Sequence, residues 1–278
     1  MLIKEYRIVL PFSVEEYRLA QLWSTAKASK RETGGGEGIE VVVNEPFSSH
    51  GVTSNGMCAE GQYTHKIYHL YKKLPLFLRM IMPKRASEIH EKAWNAYPYC
   101  KTVVSVTSNG GWRPIGVGNT EPRFMKEGCT WCSNRYTVPT PARRTNVHML
   151  SKAELQQREV IFIDIANDHV MRGDCRADED PSAFTSLKTG RGPLGTDWQS
   201  IASPIMCCYK LVRVEFKWWG VQDRVEQWVQ QSEGRLFLNF HRQMFCWIDL
   251  WYGLTSEEVR KYEDRTILQL DEVCTMQR

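Results

Sequence analysis

Residues 206–216, MCCYKLVRVEF, are dense in β-branched and aromatic side chains and hold a period of two, which fits a long β-strand. One face carries Met206, Cys208, Lys210, Val212, Val214 and Phe216. A lysine in the middle of an apolar row constrains everything packed against it, because an unpaired buried ammonium is very costly. It must snorkel to water, meet an anion of the protein, or face a cavity whose ligand supplies the anion. The stretch 61–70, GQYTHKIYHL, sets the same problem on a second strand. Gln62, Thr64, Lys66, Tyr68 and Leu70 share one face, Tyr63, His65, Ile67 and His69 the other, and neither is cleanly apolar. A third strand, YCKTVVSV (99–106), puts Cys100, Thr102, Val104 and Val106 together. Sparse polar groups on otherwise apolar faces are the anatomy of a ligand pocket.

The elements around these strands are legible. Residues 2–10 alternate and stop at Pro11. Ser13 and Glu16 then have capping-box spacing, with Phe12 and Tyr17 placed as a hydrophobic staple, and a helix follows to about Ala28. TGGGEG (33–38) is a loop before a strand, IEVVVNE (39–45). ASEIHEKAWNAYP (86–98) reads as a short helix stopped by Pro98, with Glu91 and Asn95 four apart on one face. Residues 107–146 read as irregular, and REVIFIDIA (158–166) as a strand. From about 221 the period becomes helical, with Val221, Val225, Trp228, Val229, Leu236, Phe240, Met244, Trp247 and Trp251 on one broad apolar face. A last helix starts at Thr255, with Glu258 in capping-box position. Without an internal repeat or a clean linker, the expectation is a single α+β domain over 1–278, one antiparallel-type sheet with long helices.

Several function classes are disfavoured. The 36 basic and 32 acidic residues leave a net charge of +4, too balanced for a nucleic-acid binder. The nine cysteines are odd in number and scattered. Cys129-Thr-Trp-Cys132 is an isolated CxxC with no second pair at zinc spacing, so a thiol enzyme is a minor reading. HExxH, GxSxG and Walker motifs are missing from the sequence, and no enzyme, cofactor or metal is expected. The N-terminus lacks the apolar core of a signal peptide, and no run of about 18 apolar residues occurs, which leads us to expect a cytoplasmic chain with reduced thiols. Trp218 and Trp219, beside Lys217 at a strand end, read as an interfacial membrane anchor. LPLFLRMIM (74–82) is a second apolar segment suited to insertion or to a cavity wall.

EYRIVLP, TGGGEG, GQYTHKIYH, HEKAWNAYPYC, SLKTGRGPLG, CYKLV, VEFKWWG and NFHRQMFCW, in this order from residue 2 to about 272, resemble the class I phosphatidylinositol transfer proteins. The resemblance implies a START-like helix-grip fold, in which a curved sheet and long helices enclose one phospholipid under a C-terminal lid helix. It implies a monomer that exchanges phosphatidylinositol and phosphatidylcholine between intracellular membranes, touching each surface transiently and carrying the lipid as cargo. By position, Thr64, Lys66, Glu91 and Asn95 match head-group residues, Thr102 and Lys210 further head-group or phosphate contacts, and Glu263 an acid near the inositol ring. Cys100 matches a cavity-wall cysteine, Trp218 and Trp219 a membrane-docking pair, and Ser186 a phosphorylation site.

The departure lies at 107–146, which holds an insertion of about sixteen residues near 108–123, judged against ordinary hairpin lengths. GCTWCSNRYTVP (128–139) lacks the alternation of the expected strand, and a head-group contact expected there falls at Arg135, which is not carried over. This segment motivates an alternative, a lipid sensor or presenter with weak transfer.

Overall fold

The structure, a computed structural model, describes residues 1–32, 38–49, 59–69, 88–106, 130–139, 142–174, 176–216 and 220–276. The strands are β1 (Leu2–Leu10), β2 (Gly38–Ser49), β3 (Ala59–His69), β4 (Glu88–Ala96), β5 (Tyr99–Val106), β6 (Thr130–Val138), β7 (Glu159–Ile163) and β8 (Met206–Glu215). The helices are α1 (Val14–Glu32), α2 (Lys152–Gln157), α3 (Trp198–Ile201), α4 (Gln222–Cys246), α5 (Ile248–Trp251) and α6 (Ser256–Met276). All eight strands join one sheet in the order β2-β3-β4-β5-β6-β8-β1-β7. Every neighbouring pair is antiparallel except β1 and β7, so the sheet is mixed rather than wholly antiparallel. With α1, α4 and α6 against it, this is an α+β helix-grip arrangement.

Two expectations are corrected. Residues 88–96 form strand β4, not a helix, and Glu91 and Asn95 sit on one strand face. The sequence HEKAWNA satisfies both periods over so short a run, and ladder pairing to β3 on one side and β5 on the other decides for the strand. The stretch 130–138, read as irregular, is β6, paired to both β5 and β8. Its polar residues do not alternate as a half-buried strand should, because its inner face meets other polar groups rather than a dry core. The insertion expected near 108–123, the apolar segment 74–82, and Trp218 and Trp219 lie outside the described residues.

The local start signals hold. Ser13 N–H donates to Glu16 Oε2 at 2.7 Å while Glu16 N–H donates to Ser13 Oγ at 3.1 Å, closing the capping box of α1. The same exchange starts α6 at Thr255 and Glu258, at 2.7 and 3.2 Å. The long apolar helix breaks at Trp247, so Trp251 belongs to the short α5.

Burial divides the sheet into two regimes. On β1 and β8, Ile8, Leu10, Met206, Cys208, Val212 and Val214 pack against α4 in one solid core. Their opposite face is covered too: Ile3 and Leu211 meet Leu150, and Cys207 and Tyr209 pack with Val138. Under that cover the fully buried Glu5 is held by Arg7 and Arg158, each at 2.7 Å. On β3, by contrast, every residue from Gly61 to Tyr68 is half-buried on both faces. A solid core would bury alternate residues completely, so β3 does not lie on a packed core.

A polar clamp fixes the solid half. Gln230 Nε2 on α4 donates to the carbonyls of Leu2 at 3.2 Å and Val212 at 3.0 Å, while Tyr6 donates its hydroxyl to the Gln230 carbonyl at 2.6 Å. One turn on, a Cβ at Gly234 would meet the Tyr6 ring at 3.0 Å, so only glycine lets the helix come this close without displacing the ring. At the other edge, α6 lies against α1 and β2, and Tyr262 stacks on Trp23 with centroids 5.4 Å apart. No helix among the described residues is long and apolar enough to cross a membrane.

Replacing the fully buried Gln230 by alanine orphans two strand carbonyls. Gln230→Ala is expected to cost about 2–4 kcal/mol of stability, read as a lowered urea midpoint.

Candidate functional site

The register collects the residues singled out in the sequence. Directly opposed residues of neighbouring strands share a face. One row across the sheet reads Gln62, Asn95, Cys100, Arg135, Lys210 and Tyr6. The next reads Thr64, Ala93, Thr102, Ser133 and Val212, and the one beyond begins Lys66, Glu91 and Val104. Thr64, Lys66, Glu91, Asn95, Cys100, Thr102 and Lys210 therefore all look one way. That is the face crossed by α1 and α4, since Lys210 meets Phe237 and Cys208 meets Tyr17 there.

Each polar group has a definite setting. Lys66 lies directly opposite Glu91, and Tyr68 on the same face donates its hydroxyl to Glu91 at 3.0 Å. Burial, and then the Glu91 charge, push the Tyr68 phenol well above its usual pKa, so it remains a donor. Cys100 Sγ and Thr102 Oγ1 are 3.9 Å apart. Lys210 is half-buried, between the fully buried Tyr209 and Leu211 of the same strand. Burial depresses its pKa, and its ammonium stands 3.9 Å from the Phe237 ring centroid.

A neutral chain of donors runs beside these cations. His241 Nδ1 lies 2.7 Å from the Phe237 carbonyl, which can only accept, so Nδ1 carries the proton. Nε2 then accepts from the Tyr17 hydroxyl at 3.1 Å, leaving the Cys208 thiol, 3.4 Å away, to donate to Tyr17. Burial, and then the Lys210 charge, hold the His241 pKa well below its ordinary value.

At one end of this face a cavity of about 350 Å³ opens among Arg18, Gln21 and Leu22 of α1, Gln62 and Asn95 of the sheet, Tyr97, and Arg260 of α6. Arg260 Nη1 donates to Glu263 Oε2 at 2.7 Å, so the expected acid of the last helix reaches the cavity through its neighbour.

Ser186 stands apart from this face. It is 1% exposed and donates to Asp249 Oδ1 at 2.6 Å, and the backbone N–H groups of Leu187 and Lys188 donate to the same carboxylate. A kinase would reach its hydroxyl only after that loop separates from Asp249. Cys132 lies in β6, and Cys129 lies outside the described residues. Among the described residues no group of three metal-ligating side chains converges.

Sequence reasoning passed over Gln62 and Tyr68, although period two puts them on the face of Thr64. It also passed over Tyr17, read only as a staple, over His241, Arg18 and Arg260, and over Arg135, set aside in a stretch read as irregular. Arg135 is 5% exposed, donates from Nη2 to Asn95 Oδ1 at 3.1 Å, and lies 5.9 Å from the Tyr17 ring centroid.

Known proteins resemble this chain along its length. A family model described as phosphatidylinositol transfer protein matches residues 1–268. The phosphatidylinositol transfer protein beta isoform of Homo sapiens is 47% identical over 277 residues, covering 98% of this chain and 94% of the relative. Phosphatidylinositol transfer protein 1 of Dictyostelium discoideum is 43% identical over 270 residues, 96% of this chain and 93% of the relative. Phosphatidylinositol transfer protein 2 of the same organism is 44% identical over 272 residues, 97% of this chain and 95% of the relative.

The buried imidazole has a consequence for stability. With its folded pKa depressed, His241 refuses a proton that the unfolded chain accepts below about pH 6.5, so stability is full above that pH and falls as the medium is acidified. The slope approaches about 1.4 kcal/mol per pH unit for such a histidine. His241→Gln is expected to flatten the fall by about one proton, read from urea unfolding between about pH 7 and pH 5.

Proposed function

Since the chain belongs to the phosphatidylinositol transfer protein family, we propose that it is a soluble carrier that holds one phosphatidylinositol or phosphatidylcholine molecule and exchanges it between membranes. The observation that carries this reading is the single polar face, on which Thr64, Lys66, Glu91, Asn95, Thr102 and Lys210 lie together beside a solid core. The relatives' names support transfer over a sensor or presenter that keeps its lipid.

Two acyl chains resist transfer to water by roughly 20 kcal/mol or more, at about 0.8 kcal/mol per methylene. A carrier must keep them in an enclosed apolar space and release them only into a bilayer. Here the half-buried strands β3 to β5 form the wall, with Cys100 on it, and the chains lie against that wall. Lys210 meets the lipid phosphate, with Thr102 beside it. Thr64, Lys66, Glu91 and the amide N–H groups of Asn95 offer donors and acceptors to inositol hydroxyls. Choline lacks hydroxyls and leaves those groups unpaired, so they discriminate between the two lipids.

Helix α6 serves as the lid. Its seat is local, the Tyr262–Trp23 stack and the contact with β2, so it can lift without disturbing the Gln230 clamp. Glu263 and Arg260 link that lid to the head-group end. Exchange makes and breaks no covalent bond, so the phospholipid is cargo and neither a cofactor nor a metal is needed. The protein acts as a monomer in the cytoplasm, peripheral and transient on intracellular membranes, with Trp218 and Trp219 as the docking pair.

Vesicle-to-vesicle transfer of labelled lipid tests the assignment. Thr64→Asp and Lys66→Ala are each expected to lower phosphatidylinositol transfer about tenfold or more, and phosphatidylcholine transfer less, since a charged hydrogen bond is worth about 1.5–3 kcal/mol. Unchanged phosphatidylinositol transfer in both would remove these residues from the head-group site. Trp218→Ala/Trp219→Ala is expected to weaken vesicle binding and transfer while the lipid stays bound in solution; lipid lost in solution would make the pair core instead.

A further inference from the structure

Two cations stand side by side on the polar face of the sheet. Arg135 and Lys210 are direct partners across β6 and β8, on the face that meets Tyr17, Phe237 and His241. Like charges directly opposite each other destabilise a strand pair, and burial raises that cost. Among the described residues no carboxylate forms an ion pair with either group. Glu233 on α4 acts on Lys210 only from beyond ion-pair distance.

The hydrogen bonds of Arg135 are incomplete as well. One N–H goes to Asn95 Oδ1, while its Nε is buried without a hydrogen-bond partner. A buried guanidinium with an unsatisfied N–H is a receptor for an oxyanion, which it shares with a neighbouring cation. By taking Asn95 Oδ1, Arg135 also withdraws an acceptor from a polyol hydroxyl and adds a charge in its place.

Resting on the carrier reading above, we propose that Arg135 and Lys210 form a dianion-binding pair, and that this protein favours a glycerophospholipid bearing a phosphomonoester over lipids whose only phosphate is a diester. A monoester with a second pKa of about 6 is mostly dianionic at neutral pH, and its three oxygens can take the Arg135 edge and the Lys210 ammonium together. A diester offers one charge to two cations. Two lipid types carry this chemistry: phosphatidic acid, with the monoester on glycerol, and phosphatidylinositol phosphorylated on its ring.

The full-length protein, equilibrated with vesicles of equal parts phosphatidylcholine, phosphatidylinositol, phosphatidic acid and phosphatidylinositol monophosphate, is re-isolated and its lipid weighed by mass spectrometry. A phosphomonoester lipid should be enriched about tenfold or more over both phosphatidylcholine and phosphatidylinositol, the effect of one added charge-assisted hydrogen bond. In Arg135→Gln that ratio should fall about tenfold, and Arg135→Lys, which keeps the charge without the fork, should lie between. Enrichment of phosphatidic acid alone assigns the glycerol phosphate to the pair; enrichment of the ring-phosphorylated lipid alone assigns the ring phosphate. The wild-type ratio decides by itself if a variant does not fold. Loading of phosphatidylinositol and phosphatidylcholine without enrichment of either monoester overturns this inference and leaves the carrier reading standing. Absence of any glycerophospholipid overturns both.

Discussion

A buried ammonium has to keep an anion or open space within reach, and Lys210 imposes that condition at the centre of the sheet. From Met206 to Val212 its strand is otherwise buried on both faces, and Cys208 and Val212 flank the lysine on its own face. The surrounding groups are arranged to tolerate the charge. Phe237 turns a ring face towards it, His241 stays neutral, and Tyr17 and Cys208 pass neutral donors along. Filling the space with apolar side chains would strand the charge, so the hollow and the lysine require each other.

The hollow is possible because the sheet is built in two manners. Around β1 and β8, helix α4 is clamped by Gln230 on one side, and the Glu5–Arg7–Arg158 network lies under cover on the other. Around β3 and β4 the wall is held by ladder pairing instead of core packing, so its side chains remain available to a ligand. The rigid half fixes the position of Lys210 and Arg135 against β5 and β4, which present Thr102 and Asn95. A precise polar constellation beside strands without a packed core needs such a rigid half to hold it in place.

Much of the fold is written in short-range signals. The capping boxes at Ser13 and Thr255 name their helices because the bonds close within four residues. Strands β3, β5 and β8 show a period of two with residues of high strand propensity. Strand β4 does not: HEKAWNA fits either period, and only its two neighbours decide. Strand β6 was hidden for a related reason. Its inward positions include Arg135 and Ser133, which break the apolar alternation because they face a polar part of the hollow.

By itself, the sequence determined that Lys210 must face an anion, water or a cavity, and which residues share a face with Thr64, because side-chain direction along a strand is set by local geometry. Only the tertiary structure decided which face α1 and α4 cross and that seven residues from four strands share it. Register between distant strands depends on pairing across long stretches of chain, and no local pattern encodes it. It also brought Arg135 beside Lys210, two residues far apart in the chain whose charges acquire a meaning only when no carboxylate comes between them.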